Sequence, residues 1–191
     1  MKNVKRETIV HATKTKILSI ERIESSYKVG SLSIKENLFR NLCKNGCVNY
    51  NNKYSCPPHS PTFLKFSKNS KNMSVICFKI SLDQYSPLSY YNRIRASNSV
   101  LKSKIDRYLL EYKLKGYKVA GSGSCRACKP CAAKTNEKCK KPDRLIFSLE
   151  SMGVDVNDLV VKCFGFPLEW YSKTNKEPEY TCTVGAILGI E

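Results

Sequence analysis

Four cysteines between residues 125 and 139 (Cys125, Cys128, Cys131 and Cys139) constrain this chain more than any other feature. They sit in Gly-Ser-Cys-Arg-Ala-Cys-Lys-Pro-Cys, with Cys139 further along the same segment. Three thiols at successive spacings of three can converge from one tight loop onto one inorganic core. The pattern is closer to the C-x2-C-x2-C run of ferredoxin-type iron–sulfur sites than to a disulfide framework. Whatever the rest of the chain forms, this stretch is expected to be an irregular loop wrapped on metal. Gly121 and Gly123 let the backbone approach closely, and Pro130 and Pro142 stiffen the loop. In ferredoxins the fourth cysteine comes sooner and a proline follows it directly. Here the proline waits at 142, and Cys139 is assigned as the fourth ligand of the same [4Fe–4S] cluster. A zinc site of four cysteines is the alternative, although such sites more often draw two C-x2-C knuckles from opposite loops.

A second, looser constellation comes earlier, in the box 43–61. Cys43, Cys47 and Cys56 lie in a segment rich in Asn, Pro and Gly, with Cys-Pro-Pro-His-Ser-Pro at its end. Such a segment has no regular backbone ladder to hold it, so metal ligation is a natural support. The spacing differs from the C-x3-C-x2-C loop of radical enzymes that cleave S-adenosylmethionine. Three thiolates without a local fourth would leave one iron open, a Lewis-acid position for substrate, sulfide or water. His59 is the nearest candidate fourth ligand, and Cys77, Cys163 or Cys182 could arrive from elsewhere. Iron–sulfur and zinc both remain open for this box. Cys77 lies in an apolar strand, and Cys163 and Cys182 have apolar surroundings, so core packing is the reading for all three.

The chain carries ten cysteines and a formal charge of +17. The opening MKNVKRETIV reaches no apolar run, which argues against a secretory leader. Val184 to Ile190 is far too short to span a bilayer, so no membrane role is expected. Clustered thiols in a cytoplasmic chain read as metal ligands kept reduced. The charge resembles a nucleic-acid footprint, yet the basic residues are spread along the whole chain with no dense block. A solvated lysine-rich surface is the primary reading, with an acidic partner protein second.

At 191 residues the chain suits one metal-binding domain, with boxes at 43–61 and 121–142. Strands are expected at Lys16–Ile23, Met73–Leu82, Tyr117–Ala120 and Glu179–Gly189, and a turn at Tyr27–Ser31. A short helix capped by Ser33 would put Ile34, Leu38 and Leu42 on one face and deliver Cys43. Residues 62–72 read as a connection anchored by Phe63, Leu64 and Phe66. Helices follow at Tyr91–Lys115, Asp143–Met152 and Asn157–Phe164. The class is α/β or α+β: a small mixed sheet with packed helices and two cysteine-rich loops. No phosphate loop, Ser/His/Asp arrangement or H-E-x-x-H motif is present.

The two boxes in this order resemble a family of predicted metal-binding proteins of unknown function, common in anaerobic archaea and bacteria. The matching residues are Asn49-Tyr50 and Tyr54 to Pro58 in the first box. In the second they are Gly123 to Cys131, Cys139 to Pro142, Arg144 to Ser148, Glu150 and Gly153. The resemblance implies metal binding through the seven cysteines and no established reaction. Asn51 stands where it leads one to expect glycine, so a slightly altered turn is expected there. Three functions compete. The first is a cytoplasmic iron–sulfur protein of anaerobic metabolism that passes electrons, with an acidic redox partner. The second is a cluster-dependent sulfur-transfer or desulfurising enzyme at the open iron. The third is a zinc-stabilised nucleic-acid-binding module.

Overall fold

The computed structural model describes residues 4–171 and 177–189. Six strands form one sheet in the order β1-β2-β3-β6-β4-β5. They are β1 (Val4–Ala12), β2 (Ile17–Lys28), β3 (Asn72–Ser81), β4 (Lys118–Gly121), β5 (Phe147–Ser148) and β6 (Tyr180–Leu188). All neighbours are antiparallel except β4 and β5, which run parallel. The mixed sheet with packed helices is the class expected from the sequence.

The central strand β3 is apolar on both sides because both faces are covered. Met73, Val75 and Cys77 point to one face, and Ile76, Phe78 and Ile80 to the other. The second face carries α3 (Tyr90–Leu114), whose Leu101, Ile105 and Leu109 form a fully buried stripe at helical spacing. Each such side chain contributes about 1.5–3 kcal/mol of burial. Gly185 on β6 lets the helix come this close, since a Cβ there would lie 2.8 Å from Leu109 Cδ1 and 3.0 Å from the Ala120 carbonyl oxygen. The opposite face carries α4 (Val156–Phe164), with Leu159, Val160 and Cys163 buried, and the short α2 (Phe63–Phe66), which inserts Phe63.

Several local expectations change. β1 was not expected: it is an exposed, charged edge strand whose pairing with β2 comes from the backbone, not from an apolar pattern. β2 runs on to Lys28, so the turn there shrinks to a 3₁₀ turn at Val29–Ser31. The helix expected at Asp143–Met152 does not form. Pro142–Arg144 and Glu150–Met152 are 3₁₀ turns, and β5 lies between them on the edge of the sheet. Ser148 and Ser151 bond each other's backbone there, a local competitor of helix.

The helix that delivers Cys43 is α1 (Glu36–Gly46), and Ser33 does not cap it. The Ser33 carbonyl instead accepts from Asp155 N–H (2.9 Å), while Ile34 bridges to Val154. Leu38 and Leu42 face solvent. The inward face is Glu36, Phe39, Arg40 and Cys43, because that face packs on the turn at Glu150–Gly153. Among the described residues no helix is long and apolar enough to cross a membrane.

Candidate metal centre

The first box is positioned by packing. Cys43 lies on the inward face of α1 and Cys47 caps its end, the Cys47 N–H donating to the Cys43 carbonyl (3.1 Å). The chain then winds through tight turns. Tyr50 N–H reaches the Cys47 carbonyl (3.0 Å), Cys56 N–H the Lys53 carbonyl (3.0 Å) and Ser60 N–H the Cys56 carbonyl (3.0 Å). Asn51 adopts the left-handed region at φ 56° and donates its N–H to the Pro57 carbonyl (2.8 Å). Asparagine enters that region readily, so it supplies the conformation a glycine would have. Ser60 anchors the end of the box: its Oγ donates to the Ser151 carbonyl (3.0 Å), and its carbonyl accepts from Arg40 Nη2 (2.7 Å).

Cys43, Cys47 and Cys56 share one cleft of about 880 Å³. Cys56 is buried, Cys43 half-buried and Cys47 exposed. Burial pushes the Cys56 thiol up, and the charges of Cys47 and Cys43 add to it. Cys43 is raised by burial, then by Cys47 and by Glu150. The three thiols therefore sense one another, and a metal bound here would have to displace their protons. The cleft is also lined by Lys102, Arg126, Glu150, Trp170 and Cys182. Burial raises the Glu150 carboxyl, and its Oε2 has no hydrogen-bond partner among the described residues.

The second box occupies the crossover from β4 to β5. Parallel strands need such a crossover, usually a helix; here residues 122–146 supply it with only 3₁₀ turns at Ala132–Thr135 and Pro142–Arg144. Gly123 turns the chain at φ 63° just beyond the sheet. The Ala127 N–H points at Cys125 Sγ (3.5 Å), the kind of amide bond that steadies a ligand sulfur. Cys125, Cys128, Cys131 and Cys139 are all half-buried.

The two boxes touch. Cys125 N–H donates to the Oγ of Ser55 (2.8 Å), the buried neighbour of Cys56. The Tyr54 hydroxyl donates to the Glu137 carbonyl. A dipeptide of the first box thus holds both the start and the middle of the second.

A family model described as predicted metal-binding protein (DUF2284) matches residues 28–188, which include both boxes and the sheet from the end of β2 to β6. The chain belongs to this family. No curated protein and no solved structure matches it.

The donor set suits the metal binding that this family description states. Four half-buried thiols on one loop, with an amide aimed at one sulfur, are a soft donor set suited to metal. Among the described residues no three His, Cys, Asp or Glu side chains stand close enough to hold a single metal ion.

Of the candidate fourth ligands of the first box, His59, Cys77 and Cys163 lie elsewhere, whereas Cys182 lines the same cleft. His59 is exposed, with its ring edge-on to Tyr54 at 5.1 Å. Cys163 is buried in the core on α4, and Cys77 is a diagonal neighbour of Cys182 across β3 and β6. Cys182 is half-buried and lines the cleft rather than simply filling the core. Sequence reading missed the bridging role of Tyr54 and Ser55. Their only signal was membership in the Tyr-Ser-Cys-Pro-Pro run that carries the family resemblance.

Proposed function

We propose that this is an iron–sulfur redox protein, with Cys125, Cys128, Cys131 and Cys139 holding a [4Fe–4S] cluster. Cys43, Cys47 and Cys56 hold a second centre facing the cleft. The single observation that carries this reading is the direct bond between the boxes, from Cys125 N–H to Ser55 Oγ. Two thiolate centres so joined are suited to exchanging electrons, which is the chemistry such clusters supply when bound. Ser55 and Tyr54 fix the relative position of the two loops. Ala127 N–H stabilises the Cys125 sulfur, and burial of Cys56 keeps water from one side of the first centre. The net charge of +17 would steer an acidic partner protein, with association weakening as salt rises. A reduced, cytoplasmic setting in an anaerobe suits the ten thiols.

Anaerobically purified protein should carry iron and inorganic sulfide, give a cluster signal in electron paramagnetic resonance, and bleach reversibly on reduction. A colourless protein loaded with zinc would rule the reading out. Retention of nucleic acid at physiological salt by that zinc form would favour a binding module instead.

The cleft favours a second reading, a cluster-dependent enzyme acting on sulfur at the first centre. Three thiols open onto about 880 Å³ of space, and His59, Cys77 and Cys163 all have other surroundings. Cys56→Ser should then abolish turnover while the second cluster's spectrum persists.

A further inference from the structure

We propose that Cys182 is a nucleophilic thiolate of the cleft, held ready by Cys77, that attacks the S–S bond of a small molecule. The site lies outside both cysteine boxes and needs no metal. Cys77 pairs with Val184 and Lys79 with Cys182 in the β3–β6 register, which puts Cys77, Lys79 and Cys182 side by side on one face of the sheet. Cys77 is fully buried, whereas Cys182 is half-buried and lines the cleft. The difference in access assigns the roles: Cys77 keeps its proton and donates S–H, and Cys182 carries the charge and meets the ligand. Lys79 is pinned nearby, with its ammonium 3.9 Å from the Tyr180 ring centroid and 4.4 Å from that of Phe166. A fixed cation and a buried donor beside a cleft-facing sulfur are the surroundings of a reactive cysteine.

The charged and titratable neighbours agree with this assignment. The neighbouring Cys77 thiol lowers Cys182 most, burial opposes it, Lys79 on β3 lowers it further and Glu169 raises it. Tyr180 on the same strand is pushed up to about 12 and stays neutral. Cys77 is raised by the neighbouring Cys182 and by burial; Lys79 lowers it, and Glu21 on β2 raises it. In the step itself, Cys182 Sγ⁻ bonds one sulfur of the S–S pair. The old S–S bond breaks, and the leaving sulfur departs with the electron pair, as thiolate from a disulfide or as the polysulfide shortened by one sulfur. No outside oxidant or reductant enters. A disulfide leaves a mixed disulfide on Cys182, and a polysulfide leaves a persulfide.

Full-length protein is alkylated with iodoacetamide across a pH series, and the tryptic peptide that follows Lys176, which carries Cys182 alone, is read by mass spectrometry. The rate at Cys182 should be half-maximal below the ordinary thiol value of about 8.5. Cys77→Ala should move that midpoint up by about one pH unit, the scale of a lost hydrogen bond to a charge. Cys77→Ser, which keeps a donor, should restore it. Lys79→Met shifts it the same way and guards against misfolding of the core variants. Dithiodipyridine and sodium tetrasulfide then test the two sulfur classes. A pyridylthio adduct assigns disulfides, and one added sulfur atom assigns sulfane sulfur. A midpoint at or above the ordinary value, a midpoint unmoved by Cys77→Ala and Lys79→Met, or no adduct from either probe overturns the proposal. Iron content is recorded on the same samples, so loss of clusters and loss of Cys182 reactivity are separate outcomes.

Discussion

Cys56 is 8 % exposed in a loop whose Ser55, Pro57 and Ser60 are buried, whereas no cysteine of the second box is buried. The first box hangs between α1 and the turn at Glu150–Gly153, tied by Arg40 and Ser60. The second spans a crossover from which helix is missing, and Ser55 and Tyr54 steady it from outside. Protein packing shapes one loop, while the other rests on few regular backbone contacts of its own. One chain thus carries thiols on a packed wall and thiols on an irregular crossover.

Metal removal should separate the two most strongly. Chelating the protein, or replacing Cys128 and Cys131 with serine, should speed amide hydrogen exchange across residues 122–146 by roughly a hundredfold. Residues 43–61 should change little, and equal loss in both would break the contrast. Gly153→Ala should do the reverse. Gly153 has φ 94°, and a Cβ there would lie 2.7 Å from Glu36 Cα, so α1 must shift. We expect a loss of about 2–4 kcal/mol, felt first as exchange around Cys43.

Ser55→Ala tests the bridge between them. It strands the Cys125 N–H and should cost about 1–3 kcal/mol in denaturant unfolding, with disorder in both boxes. If only the first box responds, the two are not coupled through this bond.

The smallest effect is at Asp155, which caps α4 through Asp158 N–H (3.1 Å) and pairs with Lys35 before α1 (2.8 Å). Burial raises this carboxyl, but the Lys35 bond and the Asp158 and Asn157 amides outweigh it and leave it below its usual value. A depressed carboxyl stabilises the fold above its unfolded value and stops doing so as pH falls through the folded one. Asp155→Ala should thus cost about 1 kcal/mol at neutral pH. The cost should shrink below about pH 4 in thermal melts taken down the acid range.

The strands and long helices were legible because their patterns are physical. The 101-105-109 stripe of α3 and the unbroken apolar run of β3 leave few other ways to bury themselves. Polar β1 carried no such pattern, and its register is set by β2. The stretch 143–152 misled because Leu145, Ile146, Phe147 and Leu149 suit a helix, while the sheet edge beside β4 could use them as strand. The α1 leucines misled by assuming that the apolar face must be the inner one. Arg40 and Cys43 face inward instead, toward the Ser60 carbonyl and the cleft.

Residue spacing determined that a buried β-rich centre would form and that the second cysteine box would leave the sheet at Gly121. Those properties follow from composition and period, which act over a few residues. Tertiary structure alone decided that Ser55 would bind the Cys125 amide and that Cys182 would open into the cleft of the first box. Contacts between segments 70 or more residues apart depend on how strands are ordered in the sheet, and local patterning does not encode that order.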